Sequence, residues 1–333
     1  MHSIVMLFAI VFFLGGEPFF SGDRLYPGAQ TLSFRLSSSE VANGHTLLME
    51  CISSALKAVD EDNKAQSLKR TTNKAQVSDL IVVKDERSLN LYPHPSQVDN
   101  ILFTLIGIPY RAESGPDTIY TEWTESDRIF DQILTFSVVT GPYRSEEISG
   151  VPQNRVTPSA TDYRRIQKER KIIAKAYEPV QNTSLIEKTF SFPVARKTIT
   201  SSYGNRRVFN GQLRSYHGGL DLRAYEGTPI YASQSGVVKL AQNLFYSGNH
   251  VLVEHGMGIH TGYSHMSKLH VKSGDRVTQG QLLGLSGSTG RVTAAHLHWT
   301  VNIDGVGVSP IQFTEILEKL YEKPVDVHKP NDD

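Results

Sequence analysis

Apolar and polar positions alternate along much of this chain with period two, the spacing of strands rather than helices. Leu32, Phe34 and Leu36 alternate with polar residues and predict a half-buried strand, and residues 47–52 are a second apolar run read the same way. Residues 80–83, 101–108, 118–123 and 133–139 repeat the strand pattern, separated by Gly, Pro, Asp and Ser. Short strands with regular turn punctuation and no helical period predict a small Ig-like β-domain over residues 80–158. Residues 23–79 predict a less defined β-rich subdomain, with the polar run 61–76 read as a loop. A helix starts near Ser159: Tyr163, Ile166, Ile173 and Tyr177 follow at offsets of three, seven and four and trace one stripe on a charged segment. So narrow a stripe predicts a solvated connector packed by one face, within a connector and linker over residues 159–184. Beyond it, strands alternate with glycine turns until a helical period returns at residues 311–321. The expected fold class is mainly β. A third domain is read at residues 185–322 and a polar tail at 323–333.

Composition narrows the setting. The 333 residues suffice for two or three domains, with 39% hydrophobic and 20% charged residues, as in ordinary globular proteins. A formal net charge of +0, without basic runs interleaved with aromatics, argues against a nucleic-acid partner. The single cysteine, Cys51, excludes an internal disulfide framework and a Cys-rich zinc site, and reads as a buried free thiol. Residues 4–15 are almost wholly apolar, long enough for a signal-peptide core and short for a membrane span. Residues 1–22 are therefore read as a signal peptide, or as an N-terminal anchor tethering the chain to a membrane if left uncleaved. Export to the periplasm or cell envelope is expected.

The candidate chemistry lies between Ser201 and His298. In His296-Leu297-His298, residues i and i+2 of a strand face the same way, so two imidazoles project together and Leu297 packs behind. In His217-Gly218-Gly219-Leu220-Asp221 the glycines permit a sharp, close backbone path, and Asp221 alternates with Leu220 and Leu222. Either motif alone is weak. Together they offer the three N and O donors of a catalytic zinc site with one position left open: His217, Asp221 and one histidine of the pair. The other histidine of the pair, and His265 in Tyr263-Ser264-His265-Met266-Ser267, are proton-transfer candidates. His255 and His260 read as structural or rim residues, His250 and His270 as surface residues, and Asn210 as a substrate-contacting loop residue. The turn Ser286-Gly287-Ser288-Thr289-Gly290 lacks the following Gly-Lys-Ser/Thr of a phosphate loop and reads as a turn shaping the groove.

These runs, with G-T-P-I-Y-A, G-N-H-V-L-V-E-H-G and V-x-x-G-D-R-V-x-x-G-Q-x-L-G, resemble the M23 metallopeptidases over about residues 190–315. These are the lysostaphin- and LytM-type cell-wall endopeptidases. The resemblance implies an antiparallel β-sheet groove, one Zn²⁺ held by His217, Asp221 and His298, and catalytic roles for His265 and His296. It implies zinc-dependent hydrolysis of the peptide stems of peptidoglycan, with metal-activated water and two histidines in proton transfer and oxyanion stabilisation. The competing reading is a non-catalytic M23-like protein that activates another wall hydrolase; such members lack ligands, and this chain keeps the full set. A lipoyl- or biotinyl-carrier reading of residues 271–287 fails for want of a lysine at a hairpin tip. The upstream β-domains are further expected to lie over the groove and restrain it.

Overall fold

Seven of the eight residues of strand Thr46–Ser53 are buried, which shows how the upstream half is built. The computed structural model describes residues 32–53, 77–95, 100–149, 157–178, 184–186, 188–209 and 212–321. The N-terminal apolar segment, the loop read at 61–76, Asn210 and the polar tail lie outside these residues. Strand Thr46–Ser53 pairs antiparallel with Leu32–Leu36 and Ile101–Gly107. One of its faces, with Leu47, Met49 and Cys51, packs on Val77, Ile119, Trp123 and Phe136 of a second sheet. On the other face Leu48, with Phe103 and Leu105, joins a core that also holds Met257, Ile259 and Phe313 of the downstream half. The half-buried reading of residues 47–52 is thereby corrected. A strand covered on both faces carries a continuous apolar run.

The two upstream sheets pack on each other through two neighbouring apolar clusters. The first sheet has the order Leu32–Leu36, Thr46–Ser53, Ile101–Gly107, Tyr92–Pro93. The second runs Glu40–Ala42, Arg128–Val139, Gly115–Glu125, Val77–Lys84, Arg87–Ser88. The boundary read at residues 79 and 80 falls inside strand Val77–Lys84, and strands from both sides of it pair in both sheets. Periodicity reports the faces of a strand but not its partner, so a non-local pairing is not visible in it.

Helix α1 (Ala160–Ala176) is capped by Ser159, whose side chain accepts from the Asp162 N–H at 3.1 Å. It buries Ile166 and Ala176 and packs with Ile173 and Tyr177 against Leu240, Leu244 and Leu252. Tyr163 is 58% exposed, a correction to the stripe read from sequence. The downstream half is a ten-stranded sheet whose main path is Ile199–Ser201, Leu220–Leu222, Leu297–Ile303, Ile259–Leu269, Gly248–Glu254, Gly236–Leu244, Arg276–Val277. Helix α2 (Pro310–Tyr321) shares a core with one face through Phe313, Leu317 and Leu320, where Trp299, Tyr263 and Val301 are packed. Alternation sends Asp221 and His298 to the opposite face. Among the described residues no helix is long and apolar enough to cross a membrane.

Candidate metal centre

Asp221 and His298 are direct register partners on adjacent antiparallel strands, so their side chains emerge side by side. Their neighbours Leu220, Leu222, Leu297 and Trp299 are 0% exposed and anchor both strands from behind. His217 reaches the same spot from the preceding loop because Gly219 lets the chain pass close beneath. A Cβ at Gly219 would sit 2.6 Å from the Trp299 carbonyl oxygen and 2.8 Å from His298 Cε1. His217 Nε2 lies 2.9 Å from both Asp221 Oδ1 and His298 Nδ1, and His298 Nδ1 lies 2.7 Å from Asp221 Oδ1.

The donor set fits a metal ion. The Nδ1–H of His217 donates to the Ser202 carbonyl at 2.7 Å, which leaves the Nε2 lone pair pointing at Asp221 and His298. Burial resists ionisation of Asp221, but its contacts with His217, His296 and His298 outweigh it and hold its carboxyl well below the usual carboxylate range. Burial pushes His298 down to about 4 despite the Asp221 hydrogen bond, so it is neutral at neutral pH. Lone pairs converging at 2.7–2.9 Å repel one another unless a proton or a cation sits among them. A tetrahedral zinc with bonds of about 2.0–2.2 Å would space them at about 3.3–3.5 Å, a small expansion. Among the described residues these three are the group whose ligand atoms converge in this way.

His265 and His296 stand beside this group. The His265 and His296 ring centroids are 5.0 Å apart, and His265 is 5.8 Å from His298. Strict alternation from Ser264, the partner of His298, would send His265 to the far face. Instead His265 has φ 66°, next to a register shift between the two central strands, and this turns its ring to the metal side. Its Nδ1–H donates to the Thr289 carbonyl at 2.9 Å, so the turn after Ser286 orients it and leaves Nε2 free. Burial and the neighbouring His298 and His296 push its pKa well down. His296 donates from Nδ1 to Ala294 O at 2.9 Å and sets Nε2 3.5 Å from Asp221 Oδ1. Burial opposes its protonation, but the Asp221 carboxylate prevails and raises its pKa.

The other histidines contribute no atom to the donor triad, although His250 lies near enough to His298 for the two to interact. His250 is 8% exposed and its Nδ1 is 3.0 Å from Ser264 Oγ, which corrects the surface reading: strand Gly248–Glu254 lies inside the sheet, covered on both sides. His255 and His260 are buried at 0% and 1% exposure, while His270 is exposed. Asn210, read as a substrate contact, lies outside the described residues. Arg207 was not singled out from sequence. Its Nη2 holds Asp221 Oδ2 at 2.7 Å, leaving Oδ1 to the donor triad. Arg206 and Arg207 are adjacent and alike, and only the strand register shows which of them faces Asp221.

Residues 215–310 match the model of peptidase family M23. The chain carries an M23 peptidase domain. Over 135 residues it is 39% identical to the peptidoglycan DD-endopeptidase ShyA of Vibrio cholerae, covering 40% of this chain and 31% of that protein. It is 35% identical over 119 residues to the DD-carboxypeptidase/endopeptidase Mpg of Neisseria meningitidis, covering 36% of this chain and 27% of that protein. These alignments thus span about a third of the relatives' length. A solved chain described as an M23 peptidase from Pseudomonas aeruginosa superposes with a TM-score of 0.52 at 25% identity, covering 71% of this chain and 87% of the other. That likeness reaches well beyond the M23 segment into the upstream sheets.

Proposed function

We propose that this protein is a zinc-dependent endopeptidase that hydrolyses the peptide cross-links of bacterial peptidoglycan. The observation that carries the proposal is the convergence of His217 Nε2, Asp221 Oδ1 and His298 Nδ1 within 2.7–2.9 Å inside an M23 domain. These three residues would hold the ion, and a bound zinc supplies Lewis acidity at the scissile carbonyl. The remaining work falls to side chains. His265, kept neutral by burial, offers Nε2 as the acceptor for the proton of the attacking water. His296, whose pKa the Asp221 carboxylate raises, carries a proton more readily; it donates a hydrogen bond to the developing oxyanion and then transfers that one proton to the leaving amine. Arg207 fixes the Asp221 carboxylate so that one oxygen only is offered to the ion.

The name of ShyA supports a peptidoglycan substrate, and the names of ShyA and Mpg an endopeptidase cut. Such a substrate lies outside the cytoplasm, in keeping with the apolar stretch at residues 4–15. The complete donor triad speaks against a purely activating, non-catalytic role. Purified peptidoglycan incubated with the full chain tests the reading. Release of soluble material should stop on chelation and return with added Zn²⁺; undiminished release by metal-free protein would overturn it.

A further inference from the structure

The metal ligand His217 is buttressed from behind by a carboxylate that comes from the upstream half of the chain. Strand Ser145–Ile148 adds in parallel to Arg206–Phe209, with Glu146 opposite Arg207, so that three strands join the two halves beside the metal centre. The Glu146 carboxylate accepts from Ser201 Oγ at 2.8 and 3.0 Å and from Asn205 Nδ2 at 2.6 Å. Ser201 Oγ in turn lies 3.0 Å from His217 Nδ1. Asn205 uses its backbone carbonyl to accept from the His217 N–H at 2.7 Å. Two routes therefore run from Glu146 to His217, one to the ring and one to the backbone.

We infer that Glu146 is a positioning residue for the metal ligand His217, and that docking of the upstream module is thereby coupled to metal affinity. The inference rests on the metal reading above. Its physical basis is the single hydrogen of the Ser201 hydroxyl. When that hydrogen is given to the Glu146 carboxylate, Ser201 presents a lone pair to His217 Nδ1. The Nδ1–H is then bracketed by the Ser202 carbonyl at 2.7 Å and the Ser201 oxygen at 3.0 Å. The Nε2 lone pair is left for the ion. Without Glu146, or without the Ser201 oxygen, the Ser202 carbonyl alone is left to hold the Nδ1–H tautomer whose Nε2 lone pair binds the ion. Carboxylates that orient metal-binding histidines usually do so directly; here a serine stands between. Because binding linkage is reciprocal, whatever Glu146 adds to zinc affinity the ion returns to the docking of the upstream strand.

Zinc affinity of the full chain, measured by competition with a chromophoric chelator, tests this without recourse to activity. Glu146→Ala and Ser201→Ala should each weaken zinc binding about 10–100-fold. The double variant should be no weaker than the weaker single one, because both substitutions break the same relay. Ser201→Ala makes no change in charge and removes one oxygen, so it stands as the probe if Glu146→Ala does not fold. Variants that bind zinc as tightly as wild type, or losses that add in the double variant, overturn the inference alone. A wild-type chain that takes up no zinc overturns the metal reading and this inference with it.

Discussion

His265 reaches the metal side through a left-handed backbone, φ 66°, that strand alternation gives no reason to expect. The motif around it identifies the residue, but the turn of its ring follows from a register shift that only the paired strands reveal. His296 and His298 are the opposite case: their spacing of two on a strand start already places both rings on one face. Replacing either of the residues proposed to handle protons, as His265→Ala or His296→Ala, should lower kcat about 10²–10⁴-fold. The bound zinc should stay near one per chain by metal analysis, since neither is in the donor triad. Loss of the metal in these variants would instead make them ligands. Gly219 makes a separate prediction. In Gly219→Ala the new methyl meets a backbone oxygen, Trp299 O, at 2.6 Å, and backbone in mid-sheet cannot step aside cheaply. The variant should lose zinc affinity and melt at a lower temperature, whereas Gly218→Ala, which meets nothing within 4 Å, should not; equal behaviour of the two would contradict this account of the close approach.

At the level of elements, the strands were legible where one face is buried, and the α1 helix in its Ser159 cap, its buried Ile166 and its Ile173 contact. Strand Thr46–Ser53 was misread because burial on both faces erases alternation. His250, read as a surface residue, is buried because strands pair on either side of its own, which its local sequence does not carry, whereas the burial of His255 and His260 agrees with a structural reading. His255 is one link of an ordered chain: the Ser233 N–H donates to Tyr263 OH at 2.9 Å, Tyr263 OH lies 2.8 Å from Thr261 Oγ1, and Thr261 Oγ1 lies 2.7 Å from His255 Nε2. His255 Nδ1 then donates to Ser235 O at 2.8 Å. The chain runs in one direction only while His255 is neutral, and burial pushes its pKa from 6.5 to about 4. Because the folded pKa lies below the unfolded one, the unfolded chain binds the extra proton first. Stability is full above pH 6.5 and falls as pH drops through the window from 6.5 to about 4. The loss from this one group is about 3 kcal/mol across the window. In urea unfolding, His255→Gln should flatten the fall in stability with acid over that range. Parallel slopes for variant and wild type would contradict it.

Across the whole molecule, the core is shared. Leu48, Phe103 and Leu105 of the upstream sheet pack with Ile259 and Phe313 of the downstream half, and Gln312 closes a pair of hydrogen bonds on Thr46 at 2.8 and 2.9 Å. Sequence periodicity separated the modules but could not show this joint, because the residues that form it lie far apart in the chain, 266 positions for Thr46 and Gln312, and look like ordinary core. The joint predicts one cooperative thermal transition for the full chain, with Phe103→Ala costing about 3–5 kcal/mol of it. Two separate transitions, only one of them moved by the substitution, would show that the halves fold independently. The same joint bears on the expected restraint of the groove: a fragment starting near Ile186 loses shared core, which should lower its activity, whereas release of a restraint would raise it. The central claim, that the M23 site cleaves peptide cross-links through a zinc held by His217, Asp221 and His298, is tested most directly on a defined cross-linked muropeptide dimer with products identified by mass. Zinc-loaded full chain should convert the dimer to its two monomers by cutting the bridge, and His217→Ala should not. Intact dimer after incubation with zinc-loaded protein, or equal cleavage by metal-stripped His217→Ala, would contradict the account.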